Sequence, residues 1–187
     1  MGIAACSGAP AKGTDSAPPA NGKLFTLLPS SYTGVRFANR VAETGDANVF
    51  KYRNYYNGGG VAIGDLTGDG LPELVLTSNQ DGPHLYLNLG GFRFRDVTAD
   101  AGVTERRRWT TGVTLADVNG DGRLDIYVCH AGLKPGPARA NTLYINQGAQ
   151  DGVPVFREMA AAYGVAYTRY STQAAFLDYD GDGDLDV

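Results

Sequence analysis

A chain of 187 residues that is 43% hydrophobic, with 26 glycines and 11 tyrosines, is composed like a β-rich globular protein, and no apolar run approaches the roughly 18 residues that mark a membrane-spanning helix. The formal net charge of −4 and isoelectric point near 5.1 exclude a broad basic footprint for nucleic acid. There is no GxSxG, P-loop or dinucleotide fingerprint, and the two histidines and two cysteines lack zinc-ligand spacing.

Residues 1–23 come first. Ile3-Ala4-Ala5-Cys6 resembles the end of a bacterial lipoprotein signal, in which the cysteine is lipidated and becomes the mature N-terminus. Cys6 is therefore a candidate lipidation site, and the small, Pro-rich stretch that follows has the composition of a flexible tether. Only Met1 and Gly2 stand where the basic and apolar parts of such a signal belong, so the start is truncated or the match is chance. Residues 24–59 lead into the remainder, with a strand expected at 34–39 and a polar surface segment at 42–51.

Beyond residue 60 the chain repeats itself. DLTGDGLPE (65–73), DVNGDGRLD (117–125) and DYDGDGDLD (178–186) share one nine-residue pattern, with oxygen-bearing side chains at positions 1, 3, 5 and 9 and glycine at positions 4 and 6. A Ca2+ ion takes six to eight oxygens at roughly 2.3–2.6 Å from a sharply turning chain. Three such sites are expected. The first comprises Asp65, Thr67, Asp69, Leu71 and Glu73, the second Asp117, Asn119, Asp121, Arg123 and Asp125, and the third Asp178, Asp180, Asp182, Asp184 and Asp186, the seventh residue of each contributing a backbone carbonyl. Gly70, Gly122 and Gly183 permit the reversal. An EF-hand would close with Glu at position 12, but Leu76 and Val128 stand there, so the ninth residue closes the cage. An Asp-Gly pair alone signals only a hairpin turn, and three copies in one register ask for more than that. By carboxylate count the third loop should bind most tightly and the first most weakly.

The loops begin 52 and then 61 residues apart. The difference is placed by matching LYLN (85–88) to LYIN (143–146) and FRDVTADAGV (94–103) to FREMAAAYGV (156–165). Six residues are inserted around GLKPGPARA and four in GAQDGVP, and the connector onward is one shorter. Within the first repeat, strands are expected at 60–65, 73–77, 84–88 and 92–95, with Phe92 and Phe94 on one face, and short helical turns at 97–101 and 158–163. Four strands per repeat give an all-β fold of β-propeller type, with a parallel β-helix as the alternative. The segments are residues 60–108 and 109–169 as two blade repeats and 170–187 as the start of a third. Propellers need about four to eight blades, so about two and a half blades make the chain the front of a longer protein.

YNGGGVAIGDLTGDGLPELVLTSNQ, LYLNLGGFRFRDVTADAGV and WTTGVTLADVNGDGRLDIYV together resemble the FG-GAP/VCBS repeat proteins, including bacterial relatives of cartilage acidic protein. The resemblance runs from about Phe25 to the end. It implies an integrin-α-like propeller with Ca2+ in its hairpin loops, and secreted or lipid-anchored placement.

Asn57, Trp109 and Tyr170 each lie eight residues before a first ligand and could ring a channel mouth as ligand contacts or cap the blades as packing residues. Arg106, Arg107 and Arg108 read as a solvated loop, His84 and His130 as strand histidines, and Cys129 as a buried small hydrophobe. These readings converge on a calcium-binding module at the cell envelope or outside the cell, as an outer-membrane lipoprotein or secreted protein, binding a protein or glycan and no nucleic acid. A calcium-dependent polysaccharide-degrading enzyme on the same scaffold is the alternative.

Overall fold

The computed structural model describes residues 25–105 and 108–187. Cys6, the tether around it, Arg106 and Arg107 lie outside them. The Asp-Gly turns and alternating apolar positions produce two antiparallel sheets of four strands each. The first contains β1 (Val61–Gly64), β2 (Glu73–Ser78), β3 (Gly82–Asn88) and β4 (Phe94–Asp96). The second contains β5 (Trp109–Ala116), β6 (Asp125–Ala131), β7 (Thr142–Gln150) and β8 (Val153–Glu158). Strand order follows chain order in both, so each repeat is an up-and-down meander.

Register explains how the sheets stack. Ala62 pairs with Val75 and Val75 with Leu85, which puts these side chains on one face of the first sheet. That face meets Val113, Ile126, Val128, Tyr144 and Phe156 of the second sheet in one core cluster. Fully burying side chains of this kind stabilises by about 1.5–3 kcal/mol each. The opposite face of the second sheet, carrying Tyr127, Cys129, Leu143 and Ile145, packs on Val165 of the same repeat and on Ala174 and Phe176 from the start of the third. Every residue of β6 is consequently buried. The outer face of the first sheet differs, because Val61 and Ile63 remain 61% and 63% exposed.

The inner ends of the sheets approach too closely for side chains. A Cβ on Gly60 would stand 2.8 Å from the Val113 amide nitrogen, and one on Gly112, the equivalent residue of the second repeat, 2.4 Å from the Thr172 carbonyl oxygen. Threonines convert this proximity into hydrogen bonds. The Thr77 and Thr110 hydroxyls donate to the Thr111 and Ser78 carbonyls, and those of Thr111 and Thr114 donate to Ser171 and Ala174 in the third repeat, both at 2.8 Å.

The two insertions fall outside the sheet cores. Residues 132–140 fold into a loop with a 3-10 turn at Gly136–Arg139, and the other insertion lengthens the β7–β8 hairpin, which turns at Asp151 and Gly152 with positive φ at both residues. Single helical turns follow the fourth strands, marked by Ala101 N–H to Val97 O at 2.8 Å and Tyr163 N–H to Met159 O at 3.0 Å.

Two expectations are corrected. Residues 34–39 form no strand. After the four-residue helix α1 (Ser30–Thr33), this segment is tied to the first sheet by side chains, with the Asn39 carboxamide oxygen accepting from the Asn79 amide at 3.0 Å and the Ser78 hydroxyl at 3.2 Å. Phe92 does not share a strand face with Phe94. It sits in the turn closed by Leu89 N–H to Arg93 O at 2.8 Å, with φ of 60° and its ring exposed, because the tight reversal at Gly90 and Gly91 consumes the positions assigned to the strand.

Gly112→Ala is expected to destabilise the chain by about 1–3 kcal/mol through backbone displacement at the sheet contact. Gly45→Ala, where nothing lies within 4 Å of the new methyl, should change stability by less than about 0.5 kcal/mol. Denaturant midpoints of the two variants test the contrast.

Candidate metal centre and aromatic site

All three acidic segments fold as hairpin turns: residues 65–73 join β1 to β2, residues 117–125 join β5 to β6, and residues 178–186 are closed by a bridge between Leu177 and Asp186. In each, the first aspartate folds back over its own turn. Asp65 accepts from the amides of Gly68 at 2.7 Å and Gly70 at 2.8 Å, Asp117 from Gly122 at 2.8 Å, and Asp178 from Gly181 at 2.7 Å and Gly183 at 3.1 Å. Burial pushes the Asp65 carboxyl upward, but these amides outweigh it and hold the group below the usual carboxylate range. The fifth-position carboxylates turn toward the seventh-position amides, so Asp69, Asp121 and Asp182 accept from Leu71, Arg123 and Asp184 at 2.8, 3.0 and 3.1 Å.

The ninth position has a second task that sequence reasoning missed. Glu73 and Asp125 are fully buried, and each carboxylate bridges two backbone segments. Glu73 accepts from Leu66 N–H at 2.8 Å and Asn88 N–H at 3.3 Å, and Asp125 accepts from Val118 N–H at 3.0 Å and Asn146 N–H at 2.8 Å. Asn88 and Asn146 end the LYLN and LYIN segments, so the recurring asparagine was the available signal. Their carboxamides extend the network, Asn88 donating to Pro72 O at 2.8 Å and Asn146 to Leu66 O of the preceding repeat at 2.9 Å. Burial raises the pKa of both acids, while the amides they accept from pull the other way.

The loops differ in how far their oxygens converge. Asp178, Asp180 and Asp186 each place an oxygen within 4.8 Å of the other two, and this is the one such acidic group among the described residues. A hard cation fits this all-oxygen donor set. Asp182 lies instead against Asp184, whose carboxyl is raised by the hydrogen bond between them. In the second loop the Arg123 guanidinium lies 2.6 Å from Asp121, and the Asn119 carboxamide donates to the same carboxylate at 3.0 Å. In the first, the Thr67 hydroxyl leans on Asp65 at 3.4 Å.

At the other end of the strands, Trp109 and Tyr170 meet through Tyr52. Tyr52 is edge-on to Trp109 at 5.7 Å and stacked on Tyr170 at 6.0 Å, and Tyr55 is tilted against Trp109 at 4.7 Å. The Arg139 guanidinium covers the Tyr170 ring at 4.0 Å. Asn57 is exposed and outside this cluster. A pocket of about 300 Å³ opens beside it, lined by Tyr52, Tyr55, Trp109, Arg108 and Lys134 among others.

Of the two histidines, His84 packs edge-on against Phe37, whereas His130 is fully buried with Nε2 2.5 Å from Glu105. Burial would raise the Glu105 carboxyl, but the His130 hydrogen bond and charge, with help from Thr142 and Arg108, bring it below its ordinary 4.5. Cys129 is buried as expected, and desolvation pushes its thiol up to about 11. No helix among the described residues is long and apolar enough to cross a membrane.

Stacked four-stranded meanders, each carrying the acidic turn between its first two strands, define the class, and the chain contains an FG-GAP-like repeat, matched at residues 65–128. It is homologous to cartilage acidic protein 1. The Mus musculus protein is 34% identical over 143 residues, covering 76% of this chain and 20% of that protein, and the Homo sapiens protein is 32% identical over the same length. The Xenopus tropicalis protein is 32% identical over 136 residues, 72% of this chain. The chain thus spans about a fifth of the length of these relatives.

Asp125→Ala strands two amides at the base of the second loop and should cost about 3 kcal/mol even in excess chelator, as read from unfolding midpoints. Glu105 has a lowered folded pKa, so the stability it contributes is complete above its unfolded value near 4.5 and is lost as pH falls through the lower folded value. Glu105→Gln should therefore flatten the acid limb of a stability–pH curve.

Proposed function

We propose that the chain is part of a calcium-stabilised β-propeller that acts outside the cell as a binding module for a protein or glycan. The observation that carries this reading is the placement of the same oxygen-rich turn at the same hairpin of successive sheets, with three carboxylates converging in the third copy. Asp178, Asp180 and Asp186 would hold the ion there, and its charge would relieve the repulsion among them. The second loop has part of this charge supplied internally by Arg123, which makes it the weaker site. The exposed Val61 and Ile63 support closure by a further blade on the outer face of the first sheet. Extracellular calcium levels suit sites of this kind, and a lipid on Cys6 would hold the module at the cell envelope.

Calcium at a hundred times its dissociation constant should stabilise the chain by about 2.7 kcal/mol, or roughly 5–10 °C in melting temperature. Asp180→Ala should remove most of that shift while leaving the melting temperature in chelator nearly unchanged. A full shift in this variant, or none in the parent chain, sinks the assignment.

A further inference from the structure

We infer that the pocket beside Trp109 binds a single carboxylated sugar ring of the uronate class. The inference rests on the binding-module reading and names the chemistry of its ligand. It starts from the six-residue insertion of the second repeat. The first repeat connects β2 to β3 directly through residues 79–81, so the sheet does not require a longer link. The second repeat spends residues 132–140 on a loop that becomes one wall of the pocket and contributes Leu133, Lys134 and Ala138 to it.

That wall is held in place. Arg139 donates from Nε to Gly132 O at 2.9 Å and from Nη2 to the Tyr170 hydroxyl at 3.0 Å, while its guanidinium covers the Tyr170 ring. The facing wall is equally fixed, since Tyr55 is fully buried, donates its hydroxyl to Ala42 O at 2.7 Å and accepts from Gln80 at 3.2 Å. With Tyr52 and Tyr55 buried, it is the half-buried Trp109 ring that presents rigid contact area at little entropic cost. About 300 Å³ lies at the small end of ligand sites and suits one ring.

Charge selects the ring. Among the described residues, the lining contains two cations, Arg108 and Lys134, and no acidic residue. Arg108 is engaged by Ala140 O at 3.0 Å and Glu105 at 3.7 Å, whereas Lys134 is exposed and has no hydrogen-bond or ion-pair partner among the described residues. A uronate carries its carboxylate on the ring edge and C–H groups on its faces. One such ring therefore meets the Trp109 indole and the rim ammonium together, while a neutral hexose leaves Lys134 without a counter-charge.

Trp109 is the one tryptophan in the sequence, so its emission reports on this pocket in the whole chain. Titration with methyl β-D-glucuronide should give a saturable emission change, about tenfold tighter than methyl β-D-glucoside, and Lys134→Ala should erase the difference without altering the melting temperature. The response should persist in chelator, because the pocket lies at the strand ends opposite the acidic turns. Equal response to both sugars, no saturable response, or an unchanged preference in Lys134→Ala overturns the inference, as does benzoate matching the glucuronide. Retention of the chain on a neutral polysaccharide or protein ligand alongside silence toward glucuronide overturns the uronate alone and leaves the binding module standing.

Discussion

The structure depends on one buried carboxylate in each of the first two repeats. Glu73 and Asp125 sit where the acidic turn enters its second strand, and each ties the second residue of the turn to the third strand. A carboxylate removed from water is costly unless hydrogen-bonded, and here two backbone amides supply the compensation. The turn, the hairpin and the third strand are thereby held in one geometry. The first aspartate, curled over the amides of its own turn, then has a fixed base, and side chains at positions 1 and 3 can be aimed at one centre.

The second constraint is the contact between repeats. Apolar faces bury each other in the usual way, but the inner ends meet backbone to backbone, at glycine, with threonine hydroxyls donating across the gap. The Asn146 carboxamide reaches the Leu66 carbonyl in the preceding acidic turn, so the loop of one repeat is supported by the sheet of the next. A change in one turn is felt by its neighbour. This is the nearest-neighbour coupling expected of repeat architectures.

The two ends of the strands are chemically different. One gathers carboxylates in exposed turns, and the other gathers tyrosines, a tryptophan and arginines around a pocket. Insertions enlarge both loops between the later strands of the second repeat, but only the one at residues 132–140 builds a wall beside aromatic side chains.

Much of this was legible in the residues. Nine-residue turns in register, LYLN against LYIN, and insertions confined to loops determined the repeat, its four strands and the hairpin position of every acidic turn, because these follow from local chain chemistry. Phe92 was misplaced since a local alternation cannot register that Gly90 and Gly91, just before it, reverse the chain. The strand assigned to residues 34–39 failed for a different reason: its partners, Ser78 and Asn79, are some forty residues away and bind its asparagine side chain rather than its backbone. Pairing of Glu105 with His130, the bridging role of the ninth carboxylates, and the meeting of Tyr52 with Trp109 and Tyr170 all join residues far apart in the chain. Only folding brings such groups within reach, so tertiary structure alone decided them.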